Sequence, residues 1–136
     1  MLKVVILIVL IVQVAYASLE QEVIGDERVF MVEFYSGMCG SCQEISPTWA
    51  KLEKAAKNIA TAKVNIDEEE GMAFADKIGV LEEGLPNIRL FTSTADAKGI
   101  SVLPGMPEPY KKILSKVKGH LSSVGKRDDG MFIKNS

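Results

Sequence analysis

The pattern of hydrophobic and polar positions changes period along the chain, and each change indicates a new element. Residues 29–35, VFMVEFY, are β-branched or aromatic and apolar on both faces except at Glu33, which predicts a strand covered on both sides. From residue 39 to about 59 the apolar positions recur at a helical spacing, and Pro47 inside this helix is expected to kink it. The face predicted to be buried consists of Ile45, Trp49, Leu52, Ala56 and Ile59.

Two shorter elements are predicted in the middle of the chain. Residues 61–67, TAKVNID, are typical of a short strand. Residues 68–80, EEEGMAFADKIGV, predict a short helix, and Gly79 suits its C-terminal cap. The apolar side of this helix is predicted to carry Met72, Ala75 and Ile78.

The last third of the chain predicts a hairpin followed by a helix. A Gly-x-Pro turn precedes an apolar strand at residues 87–91, and residues 100–103 are expected to pair with it. Pro107 and Pro109 suit the start of a helix, where a missing N–H has little effect. Its buried stripe is predicted to contain Tyr110, Ile113, Leu114, Val117 and Leu121.

This order of elements predicts an α/β fold with a central mixed sheet and helices on both faces. The chain has 136 residues, which is enough for one domain with its own core. We expect that domain to span residues 18–124, with Trp49 and Phe91 in its core. The polar residues 125–136 predict a flexible C-terminal tail.

The first seventeen residues have the layout of a secretory signal peptide. Lys3 supplies one positive charge, an apolar run covers residues 4–12, and Ala-Tyr-Ala ends at Ala17. We predict cleavage after Ala17. The alternative is a membrane anchor over residues 2–19, a segment barely long enough to cross about 30 Å of hydrocarbon.

A signal peptide would direct the chain into an oxidising compartment, where disulfides persist. The C-terminal sequence DDGMFIKNS does not resemble a Lys-Asp-Glu-Leu retrieval signal, so the endoplasmic reticulum lumen and secretion both remain open. The formal net charge is −2 and no long basic stretch is present, which gives no support for nucleic-acid binding. We expect a monomer without stable membrane association after cleavage.

Cys39 and Cys42 are the chain's two cysteines, and Gly40 and Ser41 separate them. They lie between the predicted strand at 29–35 and the helix that follows it. A helix N-terminus stabilises a negative sulfur, which is the attacking species in disulfide exchange. In that chemistry Cys39 would attack, and Cys42, about one turn deeper, would resolve the mixed disulfide.

Two other interpretations of the cysteine pair remain open at this point. Two thiolates suit Cu(I), and the sequence GMCGSC is similar to the cysteine loop of small copper-carrying domains. A closed zinc site needs four ligands, which Cys39, Cys42 and His120 cannot supply within one chain. A disulfide across so short a loop could also be an inert staple, although it would stabilise the fold only weakly.

Beyond the cysteines, two longer stretches resemble the thioredoxin superfamily, and most closely a single domain of the protein disulfide isomerase type. They are VEFYSGMCGSCQEISPTW and KVNIDEEEGMAFADKIGVLEEGLPNIRLF, and the similarity runs from about Val29 to Leu121. The resemblance implies a thioredoxin-like fold and a thiol–disulfide oxidoreductase. Its partners would be protein thiols and disulfides of folding secretory proteins, and it implies no organic cofactor or metal.

The resemblance also implies roles for individual residues. Glu33 matches a buried acid that would accept the proton of Cys42, because burial raises the pKa of a carboxyl group. Lys63 matches the lysine that pairs with this acid. Pro86 matches a cis-proline beside the cysteines, which exposes the backbone of Leu85 to an extended substrate.

The chain departs from the family pattern around the cysteines and at its start. Met38 stands in place of a tryptophan, and Ser41 in place of a proline or histidine; with Gly40, these residues are our candidates for substrate contact. The family's first strand and helix are expected to be truncated. A non-catalytic peptide-binding or chaperone module is therefore the alternative function.

Overall fold

The computed structural model describes residues 18–136, and its centre is a four-stranded sheet. The strands are β1 (Phe30–Tyr35), β2 (Ala60–Asn65), β3 (Asn87–Phe91) and β4 (Ile100–Pro104). Their order in the sheet is β2-β1-β3-β4, with β2 parallel to β1 and the other neighbours antiparallel. The mixed sheet predicted from the sequence is confirmed. The predicted signal peptide, residues 1–17, lies outside the described residues.

Five helices connect and cover these strands. They are α1 (Leu19–Ile24), α2 (Gly40–Ala55), α3 (Glu69–Lys77), α4 (Val80–Glu83) and α5 (Tyr110–Leu121). Pro47 lies inside α2, and Pro109 is the N-terminal cap of α5. Within residues 18–136, α1 is the one helix or strand that precedes β1. None of the helices formed by this part of the chain is long and apolar enough to cross a membrane.

Helices α2 and α5 cover one face of the sheet. Strand side chains such as Met31, Ile88 and Leu90 pack there against α2 and α5, and all three are fully buried. Trp49 lies in this layer, as the helical spacing predicted. The two helices therefore close one half of the core over the central strands β1 and β3.

Helices α1, α3 and α4 cover the opposite face. The rings of Phe34 and Phe74 meet edge to face at 5.4 Å between centroids, and those of Phe74 and Phe91 lie 6.1 Å apart. Val23 from α1 and Val80 from α4 join this layer. Helices thus lie on both faces of the sheet, which confirms the predicted α/β architecture.

Two details of this second layer differ from the prediction. Met72 was expected on the buried side of α3 but is 42% exposed. Gly71 and Phe74 are buried instead. A side chain at position 71 would overlap the backbone carbonyl of Asn65, so a glycine allows α3 to approach β2 closely. The short helix α4 was not predicted, because four residues are too few to show a period.

The C-terminal residues differ from the expected flexible tail. Strands β5 (Gly125–Lys126) and β6 (Phe132–Ile133) form a small antiparallel hairpin. The backbone N–H of Val29 donates to the Phe132 carbonyl at 2.9 Å, which joins this hairpin to the chain just before β1. The segment is therefore paired with the rest of the fold, although its side chains are mostly polar.

Candidate functional site

Cys39 and Cys42 lie at the start of α2, where the sequence placed them. Cys39 is the N-terminal cap residue of the helix, and the two sulfurs are joined in a disulfide. The backbone N–H of Cys42 donates to the Cys39 sulfur at 3.1 Å. Cys39 is half-buried whereas Cys42 is 6% exposed. Cys39 is thus the more accessible of the two residues, and its sulfur accepts a hydrogen bond from a backbone N–H of the first helical turn.

The loop between β1 and α2 is held by an aspartate that follows β2. Asp67 accepts a hydrogen bond from the Ser36 hydroxyl at 2.6 Å and another from the Gly37 N–H at 2.8 Å. The first of these bonds lowers the pKa of Asp67, and the second adds to the effect. The N–H of Cys39 in turn donates to the Ser36 carbonyl at 3.2 Å. Neither Ser36 nor Asp67 was predicted, because no local pattern links residues 31 positions apart.

Glu33 is buried on the α2 side of β1, directly beside Lys63 of β2 in the parallel register. The Lys63 ammonium lies 3.6 Å from a Glu33 carboxylate oxygen. That oxygen, Oε2, is buried and has no hydrogen-bond partner among the described residues. Burial raises the pKa of Glu33, and the nearby Lys63 charge opposes this only in part.

Glu33 and Cys42 line the same cavity beneath the start of α2. Its volume is about 190 Å³ and Lys63 is also among its lining residues. A cavity of this size with a carboxylate and an ammonium among its lining groups can admit water molecules, which carry protons between groups that do not touch. The predicted acid and the predicted resolving cysteine are therefore brought together.

The Leu85–Pro86 peptide bond is cis, as the resemblance implied. Pro86 is buried and Leu85 is half-buried. The Pro86 carbonyl accepts a hydrogen bond from the Gly105 N–H at 2.9 Å, which ties this loop to the end of β4.

A polar network around the buried Arg89 connects Glu83 and Asn87, which lie on either side of the same loop. The Arg89 guanidinium lies 3.1 Å from a Glu83 carboxylate oxygen, and Asn87 donates to Glu83 at 2.8 Å. Arg89 also donates to the carbonyls of Ile78 and Lys98 at 3.1 and 2.8 Å. Arg89 is 4% exposed, so these partners replace the water that its charge loses on burial. Sequence analysis assigned no role to these residues.

Two exposed methionines lie next along the chain to the first cysteine and to the hydrogen-bond partner of the cis-proline. Met38, directly before Cys39, is 90% exposed, Gly40 is exposed and Ser41 is half-buried. Met106 was not predicted; it is 74% exposed and directly follows Gly105, the residue bonded to Pro86. Exposed methionines form an adaptable apolar surface that a bound polypeptide can contact.

The capacity of this site for a metal ion is limited to its two sulfurs. Among residues 18–136, no group of three or more His, Cys, Asp or Glu side chains is placed to surround a metal ion. A metal here would have to be held by Cys39 and Cys42 alone after reduction of the disulfide.

Comparison with known proteins connects this geometry to a family. The thioredoxin family model matches residues 10–117. The protein disulfide-isomerase like 2-2 of Arabidopsis thaliana is 31% identical over 100 residues, covering 67% of this chain and 22% of the relative. Human protein disulfide-isomerase A6 is 29% identical over 83 residues, covering 61% of this chain and 18% of the relative. The chain therefore spans only a small part of these longer proteins.

A solved structure shows the same fold at lower sequence identity. The thioredoxin-2 of a malaria parasite, described as a component of its protein secretion machinery, is 23% identical and has a TM-score of 0.54. The aligned region covers 70% of this chain and 85% of that one. Because the family model matches most of the chain and the fold agrees with it, this protein belongs to the thioredoxin family.

Proposed function

We propose that this protein is a thiol–disulfide oxidoreductase that acts on protein substrates. The observation that carries the proposal is the Cys39–Cys42 disulfide at the N-terminus of α2, with Cys42 lining one cavity with the buried Glu33. A pair that exchanges disulfides needs one accessible sulfur and one shielded sulfur with access to a proton acceptor. These residues meet both requirements.

The first step forms a mixed disulfide. In the reduced protein, the Cys39 thiolate attacks one sulfur of a substrate disulfide. A bond forms between Cys39 and that sulfur, the substrate disulfide breaks, and the second substrate sulfur leaves as a thiolate that takes a proton from solvent. The Cys42 N–H and the positive end of the α2 dipole stabilise the Cys39 thiolate before attack.

The second step releases the substrate. Glu33, as a carboxylate, accepts the proton of Cys42 through the shared cavity, and the Cys42 thiolate attacks Cys39. The Cys39–Cys42 disulfide forms, and the substrate sulfur leaves as a thiolate and is protonated. Two electrons have then passed from the cysteine pair to the substrate. The reverse sequence would oxidise a substrate dithiol.

Lys63 would adjust the proton affinity of Glu33. Its side chain is 46% exposed, so solvent weakens its attraction for the carboxylate. The net effect of burial and this partial pairing is a raised pKa for Glu33, which suits a group that takes a proton from a thiol. The lysine thus keeps the carboxylate ionised often enough to act as a base.

The substrate would bind beside the cysteines as an extended polypeptide. The backbone of Leu85, before the cis-proline, can pair with such a segment in the manner of an added strand. Met38 and Met106 would contact apolar side chains of the substrate, while Gly40 and Ser41 leave room near the Cys39 sulfur. Unfolded secretory proteins in the endoplasmic reticulum lumen or outside the cell are the substrate class that we propose.

The activity can be tested by insulin reduction with dithiothreitol and by refolding of a scrambled disulfide protein. Wild type should accelerate both reactions and Cys39→Ser neither, because that variant lacks the attacking sulfur. Ser115→Ala, at an exposed serine of α5, serves as a control outside the site and should retain the wild-type rates. Equal rates for wild type and Cys39→Ser would refute the enzymatic function and favour a peptide-binding module.

The division of roles between the two sulfurs has its own test. Cys42→Ser should trap the first intermediate, because nothing resolves the bond between Cys39 and the substrate. When the reduced variant is mixed with a substrate that contains a disulfide, the mixed disulfide should appear on non-reducing gels. If it forms with Cys39→Ser and not with Cys42→Ser, the assigned roles are reversed.

A further inference from the structure

A second concave site lies at the end of α2 that is remote from the cysteines. Its volume is about 650 Å³, and it is bounded by the C-terminal ends of α2 and α5 and by the β5–β6 hairpin. Helix α2 has 16 residues, which places this groove about 24 Å from Cys39 along the helix axis. The oxidoreductase site does not extend this far, so the groove needs a separate explanation.

The floor of the groove is apolar and comes from all three bounding regions. It consists of Ile59, Leu114, Val117, Leu121, Val124 and Phe132. Val117 is fully buried, whereas Leu114, Val124 and Phe132 remain partly accessible. The volume lies within the range of small-molecule sites, about 300–1,000 Å³, which are lined mostly by apolar side chains with a few polar groups.

The rim of the groove is positively charged. Lys57, Lys118 and Lys126 line it, and no aspartate or glutamate of the described residues does. Within residues 18–136, none of these three lysines lies within salt-bridge distance of a carboxylate, although other lysines, such as Lys77 and Lys116, do. The Lys126 ammonium lies 4.6 Å from the centre of the Phe132 ring, so one cationic group is held directly over the floor.

The backbone around the groove does not stabilise an anion, so any anion bound there would depend on lysine side chains. Helices α2 and α5 both end there, and helix C-termini present carbonyl groups with partial negative charge. An anion would therefore be held by the lysine ammonium groups and not by backbone N–H groups. A cationic ligand would be repelled by the three lysine ammonium groups. A purely apolar ligand would provide no counter-charge for them.

We propose that this lysine-rimmed groove binds a small amphipathic anion, namely a free long-chain carboxylate. The apolar chain would lie on the floor formed around Val117 and Phe132. The carboxylate would be placed at the rim between Lys118 and Lys126. This function is independent of the cysteines and goes beyond the proposed oxidoreductase activity.

The proposal can be tested with laurate as the probe, used below its micelle-forming concentration. Binding is followed by backbone amide chemical shifts in the ¹⁵N-labelled protein, with both cysteines replaced by serine so that redox state plays no part. We expect saturable shifts at Asn58, Val124 and Lys126. Dodecyltrimethylammonium has the same chain with a positive head group and should not shift these amides.

A pair of matched double variants tests the charge requirement. Lys118→Gln with Lys126→Gln should weaken laurate binding by about tenfold, since two exposed positive charges are removed from the rim. Lys98→Gln with Lys111→Gln removes the same charge from exposed positions outside the groove and should leave the affinity unchanged. Thermal unfolding of both variants establishes that each is folded, and both should retain insulin reduction in the Cys39–Cys42 background.

Three outcomes would overturn the proposal. The first is no saturable shift at the groove up to about 1 mM laurate, which would mean a dissociation constant well above about 1 mM. The second is equal loss of binding in the two double variants. The third is saturation of the same amides by an acidic leucine-rich peptide, or by self-association of the chain, when laurate has no effect. None of these results bears on insulin reduction, so the two proposals fail separately.

Discussion

Lys134 offers a sharp test of how the C-terminal segment is attached to the domain. It is 9% exposed, and its ammonium donates to the backbone carbonyls of Val23, at 2.7 Å, and Asp26. These carbonyls lie at and just beyond the C-terminal end of α1, where the helix leaves its own acceptors unpaired. Replacement of Lys134 by methionine preserves much of the side-chain volume and removes the charge. We expect the free energy of unfolding to fall.

The magnitude follows from the hydrogen bonds that the substitution removes and from the cost of burying the charge. A hydrogen bond to a charged group contributes roughly 1.5–3 kcal/mol, so two such bonds contribute about 3–6 kcal/mol. Burial lowers the pKa of Lys134, which indicates that desolvation of the ammonium offsets part of this stabilisation. We therefore expect Lys134→Met to destabilise the protein by about 2–4 kcal/mol.

Urea unfolding followed by far-ultraviolet circular dichroism measures this change. Lys98→Met is the matched control, because Lys98 is exposed and its ammonium forms no hydrogen bond or ion pair within residues 18–136. We expect its free energy of unfolding to change by less than about 0.5 kcal/mol. Hydrogen exchange adds a local measurement: the Val29 amide, bonded to Phe132, should lose protection in Lys134→Met. A loss of stability no larger than that of the control would refute the reasoning.

Three further predictions follow from buried groups. Burial raises the pKa of Glu33 above its ordinary value of 4.5, so the folded state binds more protons than the unfolded state, and stability falls as the pH rises from that value through the raised pKa. Glu33→Gln should therefore gain stability relative to wild type as the pH is raised above 4.5, and parallel pH profiles would contradict this. Gly71→Ala should destabilise the protein by about 2 kcal/mol or more, because the added Cβ would overlap a backbone carbonyl. Gly119→Ala is the control: no atom lies near its added Cβ, so it should stabilise the protein by about 0.5–1 kcal/mol. Similar urea midpoints for the two variants would show that α3 can shift. Arg89→Met should lower the free energy of unfolding in urea by about 3 kcal/mol, since it leaves Glu83 without its cation and two carbonyls without a donor. A decrease below about 1 kcal/mol would mean that water replaces the network.

The sequence predicted the helices and strands well wherever a period ran over several turns or a strand was flanked by clear breaks. Strand β3 has the predicted bounds, 87–91, because a Gly-x-Pro turn and a polar loop enclose it. Helix α2 ends at Ala55 and not near residue 59, although Ile59 is still buried. Ala56 leaves the helical conformation, with ψ of 53°. The spacing of apolar residues cannot show this helix end, because Ile59 packs into the same core from the loop that follows.

The C-terminal hairpin could not be predicted for a different physical reason. Hydrophobic patterning detects segments that bury apolar side chains, but residues 125–136 are held largely by backbone pairing and by Lys134. A lysine in a polar segment is usually solvated, so the pattern indicates a tail. Only the three-dimensional proximity of α1 shows that this lysine has carbonyl partners more than a hundred residues away in sequence.

The candidate site was visible in the sequence to the extent that its residues match positions of the resembled family. Glu33, in an otherwise apolar strand, matches the family's buried acid, and Pro86, in a Gly-x-Pro turn, matches its cis-proline. Asp67 and Arg89 could not be predicted. Asp67 occupies an ordinary polar loop, and Arg89 in a strand gives no sign that a carboxylate and two carbonyls surround it.

The energetic position of Glu33 supports a role other than stability. One of its oxygens is buried without a hydrogen-bond partner among the described residues, and its lysine is separated by 3.6 Å and is partly exposed to solvent. A buried carboxylate with such incomplete pairing is unfavourable, and a neutral side chain of similar size would stabilise the fold more. The residue next to it in space that can use a proton acceptor is Cys42, which lines the same cavity. We infer that the acid is retained for the chemistry of the disulfide, and that Glu33→Gln should give a more stable protein at neutral pH in which release of the mixed disulfide is slower. A variant that is both more stable and equally fast would remove Glu33 from the proposed mechanism.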